Sequence, residues 1–134
     1  MGQRSSETFT VVGLGDRGLP VSRLGADTLG REPAQACRKL RERFEIDLVC
    51  LTRGERGSLL VCAQGEDEHP GFPVTVADTV GAGDAFTVVL AHHRLRGSTL
   101  ARTNEAANRY GAWVASQPGA TPRAPAELLR QVAG

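Results

Sequence analysis

The stretch Asp78-Thr79-Val80-Gly81-Ala82-Gly83-Asp84-Ala85-Phe86 constrains this chain more than any other. Small residues leave backbone N–H groups bare, and bare N–H groups at a helix start attract anions. The sequence turns apolar immediately afterwards, so Ala82 or Gly83 is predicted to open a mostly buried helix that runs through Leu95. An aspartate in that first turn sits where the positive end of the helix favours its charged form. The stretch therefore reads as an anion cradle, Gly81, Ala82 and Gly83, with the Asp84 carboxylate at its lip. Taken alone, Asp84 is equally well explained as a helix cap.

The flanking pattern predicts where this cradle is mounted. Pro33 suits a first helical position, and Ala36, Leu40 and Phe44 follow at helical spacing, with Arg38, Lys39, Arg41, Glu42, Arg43 and Glu45 on the wet side. Ile46 to Thr52 is a continuous apolar run, as expected of a strand covered on both faces. Arg53 to Gly57 turns the chain, and Ser58 to Ala63 returns it as a neighbouring strand. Gly65-Glu66-Asp67-Glu68-His69 reads as a polar turn, and two prolines then carry an extended segment into Asp78. Gly97 is a natural helix stop, and Ser98 or Thr99 can cap a helix that continues to the break at Ser116-Gln117-Pro118-Gly119. A last short helix spans Pro125 to Val132, with Leu128, Leu129 and Val132 on one side. The order is α/β, and the closing helices are expected to cover a sheet face.

Residues 1–32 are expected to be irregular. Gly13-Leu14-Gly15-Asp16-Arg17-Gly18 fits the dinucleotide fingerprint, but that fingerprint requires a helix directly after it. Pro20 disfavours helix at Leu19, so a glycine-rich loop is the better reading.

Composition narrows the classes of function. The chain has 134 residues and a net charge of +1, so no strong field points to nucleic acid or an anionic membrane. Aromatic residues are only 4%, too few for base-stacking platforms. No apolar stretch approaches the roughly 20 residues of a membrane span. Cys37, Cys50 and Cys62 show no CxxC pairing, and an odd number of cysteines suggests reduced thiols in a cytoplasmic protein. Cys50 and Cys62 read as buried small hydrophobes. His92 and His93 are adjacent on a helix and so lack the spacing of metal ligands. With His69 in a turn, they are expected at the surface or an interface. Tyr110 and Trp113 are expected to pack in the core.

Two segments stand together, Thr52-Arg53-Gly54-Glu55-Arg56-Gly57 and Asp78 to Phe86. This pair resembles the C-terminal half of the ribokinase-like, PfkB-type carbohydrate kinases, as do Glu105-Ala106-Ala107-Asn108-Arg109-Tyr110-Gly111-Ala112 and Gln117-Pro118-Gly119-Ala120-Thr121-Pro122. The resemblance covers Ile46 to Val132. It implies the C-terminal part of a three-layer α/β/α sandwich, with 33–134 as the partial kinase domain and 1–32 as a remnant. It further implies ATP-dependent phosphorylation of a sugar or related hydroxyl.

In that family Gly81, Ala82 and Gly83 would hold charge growing on the transferring phosphoryl group, and Asp84 would take the proton of the attacking hydroxyl. Thr52, Gly54, Gly57 and Gly83 would shape the nucleotide's surroundings. Asn108 would lie beside adenine, the bland alternatives being a hairpin turn and a solvent-facing asparagine. Backbone oxygens at Asp78, Val80, Val114, Gln117 and Gly119 would hold a monovalent cation such as K+.

The sequence departs from the family pattern in two places. Ser22-Arg23-Leu24-Gly25-Ala26-Asp27-Thr28-Leu29-Gly30 stands where an Asn/Glu stretch helps organise Mg2+, and neither the sugar-binding half nor its lid is visible. The chain is therefore expected to be a truncated kinase with little turnover of its own. The alternative is a non-catalytic nucleotide-binding fragment or module that acts only with a partner chain; a homo-oligomer or a complementing chain is the expected protein partner.

Overall fold

The computed structural model describes residues 8–14, 21–25, 32–78, 81–119 and 123–134. The chain divides into two compact units, Met1–Gly54 with Ser58–Glu68, and Glu55–Gly57 with His69–Gly134.

The first unit is built on strands β1 (Thr8–Leu14), β2 (Val21–Gly25), β3 (Leu48–Thr52), β4 (Ser58–Cys62) and β5 (Gly65–His69), in the sheet order β2-β1-β3-β4-β5. β1 pairs antiparallel with β2 and β3, the latter with Thr10 opposite Thr52, and β3 pairs antiparallel with β4, with Leu48 opposite Cys62. Helix α1 (Pro33–Phe44) starts where proline's missing N–H costs no helical bond. It packs Cys37 against Val11, Val49, Leu51, Leu59 and Val61, with Ala34, Ala36, Leu40 and Ile46 around them. On the other face of the sheet Val12, Leu48, Cys50 and Leu60 are buried as well. The continuous apolar run of β3 is thus covered on both sides, as its sequence requires.

The cysteines are free and buried. Burial, with the Glu66 charge adding to it, raises the Cys37 thiol to about 11. Burial drives Cys50 up too.

Three expectations are corrected in this unit. The segment 1–32 is not irregular throughout, because β1 and β2 occupy part of it. Thr10 to Leu14 gain partners in the apolar β3, and that long-range pairing outweighs the glycines in and after the segment. β1 and β2 pair antiparallel, which excludes the βαβ crossover of a dinucleotide fold. Gly15 and Gly18 lie outside the described residues. Second, Gly65 to His69 is an edge strand rather than a turn, with Glu66 and Glu68 exposed. Glu66 pairs with Arg38 and Glu68 with Arg53, each at 3.0 Å. An edge strand needs no apolar face, and charge there discourages further pairing. Third, Phe44 is 55% exposed. Cys37, one residue along from Ala36, takes the central place on the helix instead.

The second unit carries helices α2 (Ala82–Arg96), α3 (Leu100–Ala115) and α4 (Ala126–Ala133). Gly97 ends α2 at φ 74°, and the Thr99 side chain caps α3 by accepting from Arg102 N at 3.2 Å. Phe86, Val89 and Leu90 of α2 are buried, whereas Val88 and Leu95 are exposed. On α4 only Val132 is buried, and Leu129 is 45% exposed.

His93 is a correction, since it is fully buried. Its Nδ1 lies 2.8 Å from Ser98 Oγ, and its Nε2 bonds the Val132 carbonyl. His92 Nε2 lies 3.0 Å from the Ala133 carbonyl, and Arg102 donates to that of Gln131. A helix leaves its last carbonyls without internal partners, and these three side chains supply donors at the end of α4. Tyr110 and Trp113 are half-buried and stack on each other, 6.3 Å apart and 11° from parallel, rather than entering the core.

Gly57 has φ 90°, and a Cβ there would stand 1.8 Å from the His69 carbonyl oxygen. Gly54 has φ 61° with open space around it. Gly57→Ala is expected to destabilise by well over about 1 kcal/mol, and Gly54→Ala by about 1 kcal/mol or less. Urea denaturation that ranks the two variants equally would contradict the close approach at Gly57.

Candidate active site

The first turn of α2 is set by Gly81. It occupies the N-cap at φ 85°, a conformation that costs glycine nothing. The Ala85 N–H donates to the Gly81 carbonyl at 2.9 Å as the first helical bond. The N–H groups of Ala82, Gly83 and Asp84 therefore precede any helical acceptor. Of the cradle residues read from the sequence, Gly81 is the N-cap and Ala82 and Gly83 open the helix. Gly83 and Asp84 are exposed, and a Cβ built on Gly83 would meet nothing within 4 Å. Open space thus stands over bare N–H groups, beside a carboxylate in the same turn. Such a helix start suits a phosphate oxygen. Thr87 Oγ1 donates to the Gly83 carbonyl at 2.9 Å and holds the turn from behind.

This turn rests on α3. Gly111 faces Ala82 O at 3.5 Å and Phe86 Cβ at 3.6 Å from the place a Cβ would occupy. Gly111 belongs to a buried stripe with Asn104, Ala107, Asn108 and Val114, residues three or four apart along α3. Asn108 is therefore a buried residue on the side that carries the cradle, not a solvent-facing one. Its Nδ2 donates to Asn104 O at 2.7 Å and to Asn104 Oδ1 at 3.0 Å. On the outer side, Glu105 joins Arg102 and Arg109 at 3.0 and 2.9 Å. Partial burial works to raise the Glu105 pKa, but hydrogen bonds and charge from Arg109 and Arg102 together hold it below the usual range. Arg109 also lies 4.7 Å from the Phe72 ring centre and ties residues 70–78 to α3.

The chain enters the cradle from the end of α3. Ala77 N and Asp78 N both donate to the Ala115 carbonyl, at 2.9 and 3.1 Å. Asp78 is thus brought to Val114 and Gln117, whose backbones are joined at 3.1 Å, and Gly119 follows at φ 92°. Carbonyls at a helix C-terminus carry partial negative charge, which fits a cation. Val80 and Thr79 lie outside the described residues.

Thr52 ends β3, and Gly54 opens a single 3-10 turn, Gly54–Arg56. Gly57 makes the close backbone approach already described. Among the described residues no three His, Cys, Asp or Glu side chains gather where a metal could sit.

Asn104 escaped the sequence reading, and Gly111 entered it only as part of the Glu105 to Ala112 motif, with no packing role. Asn104 lies one turn before Asn108 on the same stripe, and a glycine inside a helix marks a close packing contact.

A sequence profile of the pfkB family carbohydrate kinases matches residues 21–127. The chain belongs to this family, and its fold is a partial ribokinase-like α/β fold. It is 30% identical over 109 residues to bifunctional protein HldE of Shewanella piezotolerans, covering 81% of this chain and 23% of that protein. It is 32% identical over 114 residues to the ATP-dependent ribose-1-phosphate kinase of Halopiger xanaduensis, covering 80% and 38%. Among solved structures, aminoimidazole riboside kinase from Salmonella enterica, complexed with aminoimidazole riboside and an ATP analog, superposes with a TM-score of 0.60 at 31% identity. That match covers 73% of this chain and 35% of the kinase. The chain thus spans less than two fifths of the length of each of these relatives.

Gly111 permits a methyl group and nothing larger. Gly111→Ala is expected to stabilise the chain by up to about 1 kcal/mol through helix propensity, whereas Gly111→Leu should push α2 away and destabilise by about 1–3 kcal/mol. Equal melting temperatures for the two variants would show that α2 does not rest on this position.

Proposed function

We propose that the chain binds ATP at the start of α2 and transfers its terminal phosphoryl group to a hydroxyl of a sugar or sugar-like substrate. The observation that carries this reading is the first turn of α2: three N–H groups ahead of the first helical bond, open space over Gly83, and the exposed carboxylate of Asp84. Asp84 takes the proton from the attacking hydroxyl, and the N–H groups of Ala82, Gly83 and Asp84 offset charge on the phosphoryl oxygens. ATP, when bound, supplies the phosphoryl group. Phosphoryl transfer asks for positioning and charge stabilisation more than for a strong base, and a carboxylate at a helix start provides both. Gly57 borders the phosphates and ribose, and Asn108 meets adenine. Asp78, Val80, Val114, Gln117 and Gly119 hold a monovalent cation such as K+ through backbone oxygens. Mg2+ is read as the cofactor that accompanies ATP, with no ligand assigned to it among this chain's residues. The site is read as that of a cytoplasmic enzyme.

A second reading is favoured by the share of the relatives covered, 23% and 38%. In it the chain holds the nucleotide and the base, while a partner chain or a second copy supplies the sugar site.

Asp84→Asn tests the chemistry, because it keeps size and removes the proton acceptor. With the missing sugar-binding half fused or added, phosphoryl transfer from ATP to a panel of sugars is expected to fall by about 100-fold or more in kcat, with the Kd for ATP within about twofold of the wild type. A fall below about tenfold would show that Asp84 is not the base. ATP binding without transfer to any sugar would select the second reading.

A further inference from the structure

The close neighbours of Gly57 come from one short stretch of chain. Besides the His69 carbonyl, Pro70 C and Gly71 N each stand 2.6 Å from the place its Cβ would occupy. Gly57 is therefore seated in a backbone notch, and the notch is only as firm as the chain from His69 to Gly71. A side-chain hydrogen bond spans that stretch, since Gly71 N donates to His69 Nδ1 at 2.9 Å. A side-chain acceptor that takes the N–H two residues on closes a local turn in place of a backbone carbonyl. Gly71 sits at φ 86°, and glycine loses more freedom on ordering than any other residue, so this turn needs such a closure. The imidazole is backed in turn by the Phe72 ring, 5.0 Å away, and the Arg109 guanidinium of α3 lies over Phe72 at 4.7 Å. His69 Nδ1 thus ties the atom against which Gly57 packs to a ring anchored on the helix that carries Asn108.

We propose that His69 is a positioning residue for the nucleotide: its Nδ1 holds Gly71, Gly71 seats Gly57, and Gly57 borders the phosphates. The proposal rests on the reading of Gly57 as part of the nucleotide site. A backbone N–H can only donate, so Nδ1 is the acceptor and the hydrogen of the neutral ring is on Nε2. His69 touches no substrate and acts only through Gly71 and Gly57. The property that matters at this position is an acceptor, not bulk. An asparagine Oδ1 reaches the N–H two residues on in the same kind of turn, whereas a phenylalanine ring fills the space and accepts nothing.

The test is calorimetric titration of the full chain with ATP, comparing the wild type with two variants. His69→Phe keeps a ring beside Phe72 and removes the acceptor, and ATP affinity should fall by about three- to tenfold. His69→Asn gives up the ring and keeps the acceptor, and affinity should stay within about twofold of the wild type. Any other order overturns the proposal while leaving the nucleotide site intact. A role in packing alone would give the reverse, with His69→Phe near the wild type and His69→Asn weakened. Failure of the wild type to bind ATP overturns the reading of the site and this proposal with it. Hydrogen exchange of the Gly71 amide, measured without nucleotide, should be slow in the wild type and in His69→Asn and faster in His69→Phe. Equal exchange in all three refutes the hold on Gly71. Should His69→Phe not fold, NMR of the wild type decides by the coupling across the hydrogen bond from the Gly71 N–H to His69 Nδ1. Its detection, with ATP affinity kept in His69→Asn, upholds the proposal, and the lack of either overturns it.

Discussion

The packing of α2 on α3 at Gly111 is the contact on which the site depends. A helix start is only as well placed as whatever lies beneath it, and here Ala82 and Phe86 lie within van der Waals reach of the place a Gly111 Cβ would occupy. The consequence is chemical as well as mechanical. The bare N–H groups of α2, the Asn104–Asn108 pair and the Val114 end of α3 all become neighbours of one buried helical stripe. The bonds from Ala77 and Asp78 to Ala115 then return the chain to the same stripe just ahead of the cradle. Each part uses an ordinary property of helix ends: partial positive charge at the start of α2, partial negative charge at the end of α3.

The far end of the unit is closed by the same physics in reverse. The last carbonyls of α4 would be orphaned, and His92, His93 and Arg102 supply their donors. Burying an imidazole is tolerable because both ring nitrogens of His93 have partners, Ser98 Oγ and the Val132 carbonyl. In the first unit, by contrast, the core is apolar, and its cysteines behave as small hydrophobes.

Elements whose signals are local were legible in the sequence. Pro33 and Gly97 mark helix ends by their own backbone chemistry; of the expected caps Ser98 or Thr99 it is Thr99 that serves, and of the expected starts Ala82 or Gly83 it is Ala82 that opens α2. The apolar runs that became β3 and β4 announced burial on both faces. What was missed depends on partners far away in the chain. β1 is a strand because β3 offers an apolar edge, β2 because β1 offers the next one, and β5 because β4 does, although Gly65 to His69 has the composition of a turn. His93 looked like a surface histidine because its partners, Ser98 and Val132, cannot be paired with it by periodicity alone. At the site, Asp84 and Gly83 were readable from the motif, whereas the burial of Asn108 and its bonds to Asn104 required the folded helix.

The central claim is that the first turn of α2 receives the phosphates of a nucleotide. Backbone amide NMR of the 134-residue chain titrated with ATP addresses it most directly. The largest chemical-shift changes should fall on Ala82, Gly83 and Asp84, and adenosine, which lacks phosphates, should leave those three amides unmoved. Saturable ATP binding that leaves the amides of Ala82 to Asp84 unperturbed would contradict the account.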